Sequence, residues 1–186
     1  GVKRIAFAGA SGTGKTTRMN AVAEALGLPV CPVGSRSVAA ALGYASPYDV
    51  DKAGARSDFQ RKLFDDKATW EKDHENTGFV TDRTHYDNLA YTALHAATSV
   101  TDGYLASVVQ ASAIYTTIVF CPMSVFWNVG DDPARVKDRA YHEMFDILLD
   151  GILRRHVQKG HAPSPLVVAG SSDPKSLLLD MGWAKP

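Results

Sequence analysis

The sequence predicts an α/β fold in which a parallel sheet is covered by helices on both faces. Three observations carry this. Short apolar runs of strand length alternate with stretches of helical periodicity, and the first run passes through a glycine-rich loop straight into a helix. No repeat, low-complexity tract or long linker divides the 186 residues, so one domain over 1–186 is expected.

Ile5-Ala6-Phe7-Ala8 reads as the first strand, and Met19, Val22, Ala23 and Leu26 follow at helical spacing until Gly27 stops the helix. Leu28 to Val33 is a second strand, and Pro29 and Pro32 assign it to an edge because proline donates nothing to a ladder. A short helix runs from Arg36 to Leu42, and Ser46-Pro47-Tyr48-Asp49 has turn chemistry. From Ser57 to about Asn76 the chain is rich in charge, with Phe59, Leu63, Phe64, Ala68 and Trp70 as a partial stripe: a long, mostly exposed helix. Gly78 to Asp82 is a third strand ending in an acid. Tyr86 to Ala97 and Gly103 to Ala113 read as helices, the second capped by Asp102. Ile114 to Cys121, β-branched and closed by Pro122, is a fourth strand. A later helix carries Tyr141, Phe145, Leu148 and Ile152 on one face, Leu166 to Ala169 is a fifth strand, and Ser172-Asp173-Pro174 opens a last helix over Leu177 to Met181.

Composition narrows the function classes. Twenty Lys plus Arg against twenty Asp plus Glu give zero formal net charge, so no global positive field draws the chain to nucleic acid or anionic lipid, though a local patch stays open. The apolar runs fall far short of the roughly 20 residues of a membrane helix. Cys31 and Cys121 sit in apolar stretches and read as small buried hydrophobes in a reducing compartment rather than a disulfide framework or a zinc site. The basic start before Gly9 is too short for a secretory signal, which leads to the expectation of a cytoplasmic protein.

Gly9-Ala10-Ser11-Gly12-Thr13-Gly14-Lys15-Thr16-Thr17 satisfies the P-loop pattern G-x-x-x-x-G-K-T in the context that supports it, after a strand and at a helix start. Glycines let backbone N–H groups turn inward around a phosphate, and the helix N-terminus adds its positive end. Lys15 supplies a cation to the β- and γ-phosphates, and the Thr16 hydroxyl can complete a Mg²⁺ shell. Asp82-Arg83 then selects among P-loop proteins. Asp82 should lie at a strand's carboxyl end within reach of the phosphates, as a ligand to metal-bound water or as the base for an attacking hydroxyl, with Asp82 and Thr16 as the metal-side pair. Arg83 offers a planar fork to a phosphate or to the acceptor.

These motifs, with Phe79-Val80-Thr81-Asp82-Arg83 followed by Asp87 and with Asp131-Asp132-Pro133-Ala134-Arg135 before a long helix, resemble the small P-loop kinases of nucleosides and nucleotides. They look like the ribosylnicotinamide-kinase-like branch of AAA-type domains, to which many bacteriophage proteins are similar, and a phage origin would imply the host cytoplasm. The resemblance implies a P-loop three-layer sandwich with a five-stranded parallel sheet in the order 2-3-1-4-5. It also implies ATP with Mg²⁺ as cofactors and phosphorylation of a nucleoside- or nucleotide-like acceptor. Relatives often carry an acid after the second strand, and Val33-Gly34-Ser35-Arg36 has none, which leaves Asp82 as the preferred base or metal-water ligand and Arg36 as an acceptor-side contact. Asp49 and Asp51 are substitutes whose other reading is turn and cap chemistry.

A kinase must exclude water from the transferring phosphoryl group, and the segment near 128–139 reads as its lid, with Arg135 and Arg139 at i and i+4 on one helix face to neutralise charge. Solvated charge at a helix start, balanced by Asp131, Asp132 and Asp138, is the other reading. Gly170 to Asp173 fall where adenine contacts are expected by fold analogy. His85, Tyr86, Asp87 and Tyr91 are acceptor-side candidates, with core packing as the alternative for the tyrosines. The scattered histidines predict no zinc site. The leading expectation is a Mg-ATP-dependent kinase of a small molecule. Its alternatives are a phage kinase acting on a hydroxymethyl pyrimidine base in DNA and a regulatory P-loop ATPase without an acceptor; oligomeric state is open, a homodimer included.

Overall fold

The computed structural model describes residues 1–133, 135–168 and 173–183. Its centre is a four-stranded parallel sheet of β1 (Arg4–Ala8), β2 (Phe79–Asp82), β3 (Thr117–Phe120) and β4 (Leu166–Val167), in the order β2-β1-β3-β4. β1 pairs Phe7 with Asp82 on one side and with Val119 on the other. Ile5 to Ala8 are wholly buried, which is why this strand reads as continuous apolar sequence rather than an alternation.

The expectation of five strands ordered 2-3-1-4-5 is corrected. Residues 28–33 contribute one isolated parallel bridge, Val30 to Val80, with Cys31 N–H donating to Val80 O and Val80 N–H to Pro29 O, each at 2.9 Å. Pro29 and Pro32 have no N–H with which to extend the ladder, so the apolar run stays a bridge at the outer edge of β2. The four strands that do form keep the relative order expected of them. The predicted fifth strand is two residues long, and Ala169 lies outside the described residues.

The helices are α1 (Lys15–Leu26), α2 (Ser35–Ala41), α3 (Pro47–Lys52), α4 (Arg56–Asp73), α5 (His85–His95), α6 (Asp102–Ser112), α7 (Arg139–Gln158) and α8 (Pro174–Asp180). The predicted turn at 46–49 is instead the start of α3, with Pro47 in the first turn, where its fixed φ suits a helix and its missing N–H costs nothing. Thr101, not Asp102, caps α6, its hydroxyl accepting from Tyr104 N–H at 3.2 Å. On α7 the buried stripe is His142, Phe145, Leu149 and Leu153, one residue past the predicted Leu148 and Ile152, because a histidine occupies the first core position.

Two cores sandwich the sheet. Ala6, Ala8, Phe79, Ile118 and Phe120 pack under α5, α6 and α7. Ile5, Phe7, Val80 and Val119 pack under α1 and α8. A third cluster, Val38, Ala39, Val50, Phe59 and Leu63, joins α2, α3 and α4 into the wall that faces the P-loop. Both cysteines are buried and free, and burial pushes their thiols up, Cys121 to about 11. No described helix is long and apolar enough to cross a membrane. Truncating Phe7, wholly buried on the central strand, is expected to cost about 3–5 kcal/mol in Phe7→Ala. Urea unfolding followed by circular dichroism measures that loss.

Candidate active site

The loop between β1 and α1 is shaped by close approach. Gly9 has φ +146° and a Cβ there would meet Cys121 O at 2.6 Å; Gly12 has φ +85° and a Cβ there would meet Asn128 O at 2.8 Å. Only glycine satisfies both the backbone angle and the space. The loop is tied down as well: Gly9 N–H donates to Asp87 Oδ2 at 3.0 Å, Arg18 Nη1 to Thr13 O at 3.0 Å, and Asn128 N–H to Gly12 O at 2.8 Å. Gly14 closes it in the left-handed region, and α1 begins at Lys15.

This loop opens into a cleft of about 820 Å³. Ser11, Gly12, Gly14, Lys15, Thr16 and Thr17 line one end, Asp82 and Arg83 the middle, and residues of α2 to α5 with Arg135, Tyr141 and His142 the far side. Gly9, Ala10 and Thr13 stand behind this wall, with Ala10 wholly buried and Thr13 bonded back to Ala10 O. Lys15 and Asp82 form an ion pair across the cleft. Burial lowers the Lys15 amine, an effect that Asp82 opposes; burial raises the Asp82 carboxyl, but Lys15 and then Arg83 outweigh it and the net shift is downward.

Arg83 is the one non-glycine among the described residues with positive φ, at 73°. Such a conformation costs an L-residue roughly 1–3 kcal/mol and persists only where surroundings over-determine it. Here Arg83 N–H donates to Phe7 O at 2.7 Å, and its guanidinium donates to Gly9 O at 2.9 Å and Ser11 Oγ at 3.0 Å. The same guanidinium lies 4.9 Å over Tyr91 and 5.6 Å over Phe145. The fork expected to hold a phosphate or acceptor thus braces the phosphate loop from the side.

The other predicted residues divide between cleft and core. Tyr86 is wholly buried and stacked on His156, and this corrects its assignment as an acceptor contact. Asp87 is likewise buried; its carboxylate accepts from the N–H groups of Gly9 and Thr84, so it anchors the loop and caps α5 instead of touching an acceptor. Arg36 stands at the mouth in an ion pair with Asp132, which ties α2 to the segment 128–139. Arg135 and Arg139 do not share a helix face, because α7 begins at Arg139. Arg135 lines the cleft 3.6 Å from Asp132, whereas Arg139 is exposed, bonded to Glu143 at 2.9 Å and lying 5.5 Å over Trp127. Asp49 belongs to the first turn of α3, while Asp51 grips Arg56 with bonds of 2.7 and 2.6 Å at the cleft wall. Gly170 to Ser172 lie outside the described residues, and Asp173 caps α8.

Sequence reasoning missed two groups. One is most of the far wall, where Tyr48, His95 and Tyr141 join the already named Tyr91 in presenting rings to the cleft, and Tyr141 and His95 share a 2.6 Å hydrogen bond. The other is a buried ion pair on α4, Lys67 with Glu71 at 2.9 Å. Its signal was present: 67 and 71 continue the four-residue spacing of the buried Phe59 and Leu63.

No described group of three or more His, Cys, Asp or Glu could hold a metal by itself. A donor set of the Thr16 hydroxyl and the Asp82 carboxylate nevertheless fits Mg²⁺, which keeps several waters and takes one or two protein oxygens plus substrate phosphates.

Burial raises the Glu71 carboxyl, but Lys67 and then His85 overcome this and bring it from 4.5 to about 2. Because the folded value is depressed, the stability it contributes is present above pH 4.5 and lost as pH falls toward 2. Glu71→Gln should therefore flatten the pH dependence of urea stability over that window while lowering stability at neutral pH; an unchanged slope contradicts this.

No curated protein matches the chain. Among solved structures, shikimate kinase from Acinetobacter baumannii in complex with shikimate superimposes with a TM-score of 0.54 at 14% identity, covering 97% of this chain and 94% of that one. A likeness at that identity concerns the fold, which is kinase-like, and leaves the activity to be argued from the site. The AAA domain family matches residues 4–162, and the chain belongs to that family.

Proposed function

We propose that this chain is a Mg-ATP-dependent kinase that phosphorylates a nucleoside- or nucleotide-like small molecule. The observation that carries this reading is the continuity of one cleft from the phosphate loop, past Asp82, to a ring-lined far wall. An ATPase without an acceptor needs only room for water beyond the γ-phosphate. Here the space continues between Tyr48, Tyr91, His95 and Tyr141, whose flat rings suit a planar base and whose polar edges can orient it.

On this reading the backbone amides of the loop from Ser11 to Thr16 cradle the triphosphate, and Lys15 leaves Asp82 for the β- and γ-phosphates. The freed Asp82 carboxylate faces the acceptor hydroxyl or a metal-bound water. Thr16 and Asp82 would hold Mg²⁺, which would supply charge neutralisation at the phosphate oxygens. Arg83 keeps the loop in shape, and Arg135 brings positive charge from the opposite side. The Arg36–Asp132 pair draws α2 and the segment 128–139 together across the mouth, which limits water.

Labelled ATP offered with a panel of nucleosides, nucleotides, shikimate and hydroxymethyluracil DNA tests the reading. Label is expected in a nucleoside or nucleotide; transfer to shikimate or DNA alone replaces that acceptor class, and hydrolysis indifferent to every acceptor contradicts a kinase. Lys15→Ala and Asp82→Asn should each lower transfer by roughly 10²- to 10³-fold with the far-ultraviolet spectrum intact. Near-normal turnover in Asp82→Asn removes Asp82 from the chemistry.

A further inference from the structure

Lys67 is a cation of the cleft wall that neither the P-loop pattern nor the Asp-Arg pair singles out. It rises from α4, is 4% exposed, and has all of its donors committed inside the protein. Its ammonium donates to Thr81 Oγ1 and to the Asp82 carbonyl oxygen at 3.3 Å, and it pairs with Glu71 Oε1 at 2.9 Å. Glu71 is held in turn by His85 Nε2–H at 3.1 Å, from α5, and by Tyr115 O–H at 3.1 Å, beside β3. A lysine that recognises a ligand keeps donors free for it. This one does not.

The carbonyl it touches belongs to the peptide linking Asp82 to Arg83, the residue with φ 73°. That peptide must be turned and kept turned for Arg83 to reach the phosphate loop while the Asp82 side chain stays in the cleft. Stability alone does not account for the pair, since a buried ion pair is often no better than apolar side chains of equal volume.

We propose that Lys67 is a positioning residue: through Thr81 Oγ1 and the Asp82 carbonyl it holds the strained Asp82–Arg83 peptide so that both side chains face the phosphate site. The proposal rests on the reading of Asp82 as a working group in a nucleotide site. Glu71 is the counter-charge that lets an ammonium occupy this position, and His85 and Tyr115 fix Glu71.

The test uses the full chain with Mg-ATP alone, following slow hydrolysis by release of labelled phosphate over a range of ATP concentrations, beside binding of a fluorescent ATP analogue. Lys67→Met removes the donor, and Lys67→Met/Glu71→Gln removes it without leaving a buried unpaired charge. Both are expected to bind the analogue and keep KM near the wild-type value while kcat falls about 10²-fold, the signature of misplacement rather than lost affinity. Wild-type kcat in the double variant shows that Lys67 only neutralises Glu71 and overturns the proposal, as does a raised KM with kcat unchanged in either variant. Wild-type protein that neither binds the analogue nor hydrolyses Mg-ATP contradicts the nucleotide-site reading itself, and the proposal falls with it.

Discussion

The parallel pairing of β1 with β2 is the constraint on which the site depends. Its register sets Phe7 beside Asp82, so the chain leaves β1 for the phosphate loop just where β2 delivers its terminal acid. The ladder continues one step further in the bond from Arg83 N–H to Phe7 O. A slip of one residue would turn the Asp82 side chain to the opposite face of the sheet. Burial on both faces of β1 is what makes such a slip costly, and the two cores above and below the sheet thereby set the distance between loop and carboxylate.

Six cations line the cleft against three acids, Asp51, Asp82 and Asp132, and each cation has an acidic partner in the cleft or behind it. Lys15 has Asp82, Arg36 and Arg135 share Asp132, Arg56 has Asp51, Lys67 has Glu71, and Arg83 stands 3.8 Å from Asp87. On the proposed reading, a triphosphate entering this space meets an excess of positive charge whose cations are already paired, so it binds by exchanging ion pairs. On that reading the exchange matters most at Lys15, because its departure would expose the Asp82 carboxylate. That would link binding of the donor and readiness of the acid through a single ammonium group. The pair at Lys67 differs in that its ammonium is shared among Glu71, Thr81 and the Asp82 carbonyl oxygen, so its partners include the backbone.

The phosphate loop and the Asp-Arg pair were legible in the sequence because each is a contiguous pattern whose chemistry depends on its own backbone. Arg83 was named, but its left-handed backbone was not, since nothing local demands it. The edge position of residues 28–33 was legible from Pro29 and Pro32, but not that the same missing donors reduce the segment to a single bridge. The stripe on α7 was misplaced by one because His142 takes a core position that hydropathy reserves for a hydrophobe. Tyr91, His95 and Tyr141 meet Asp51 and Arg56 only after α3, α4, α5 and α7 pack, so no spacing rule brings them together. Lys67 and Glu71 were hidden for the opposite reason: on a helix rich in charge, two buried ions look like two more solvated ones.

A crystal structure with Mg²⁺ and a non-hydrolysable ATP analogue tests the central claim most directly. The account predicts the β- and γ-phosphates within the amides of residues 11–16, the Lys15 ammonium moved from Asp82 onto them, and the Asp82 carboxylate facing the metal shell. An analogue bound elsewhere, or one bound in the loop with Lys15 still paired to Asp82, would contradict it.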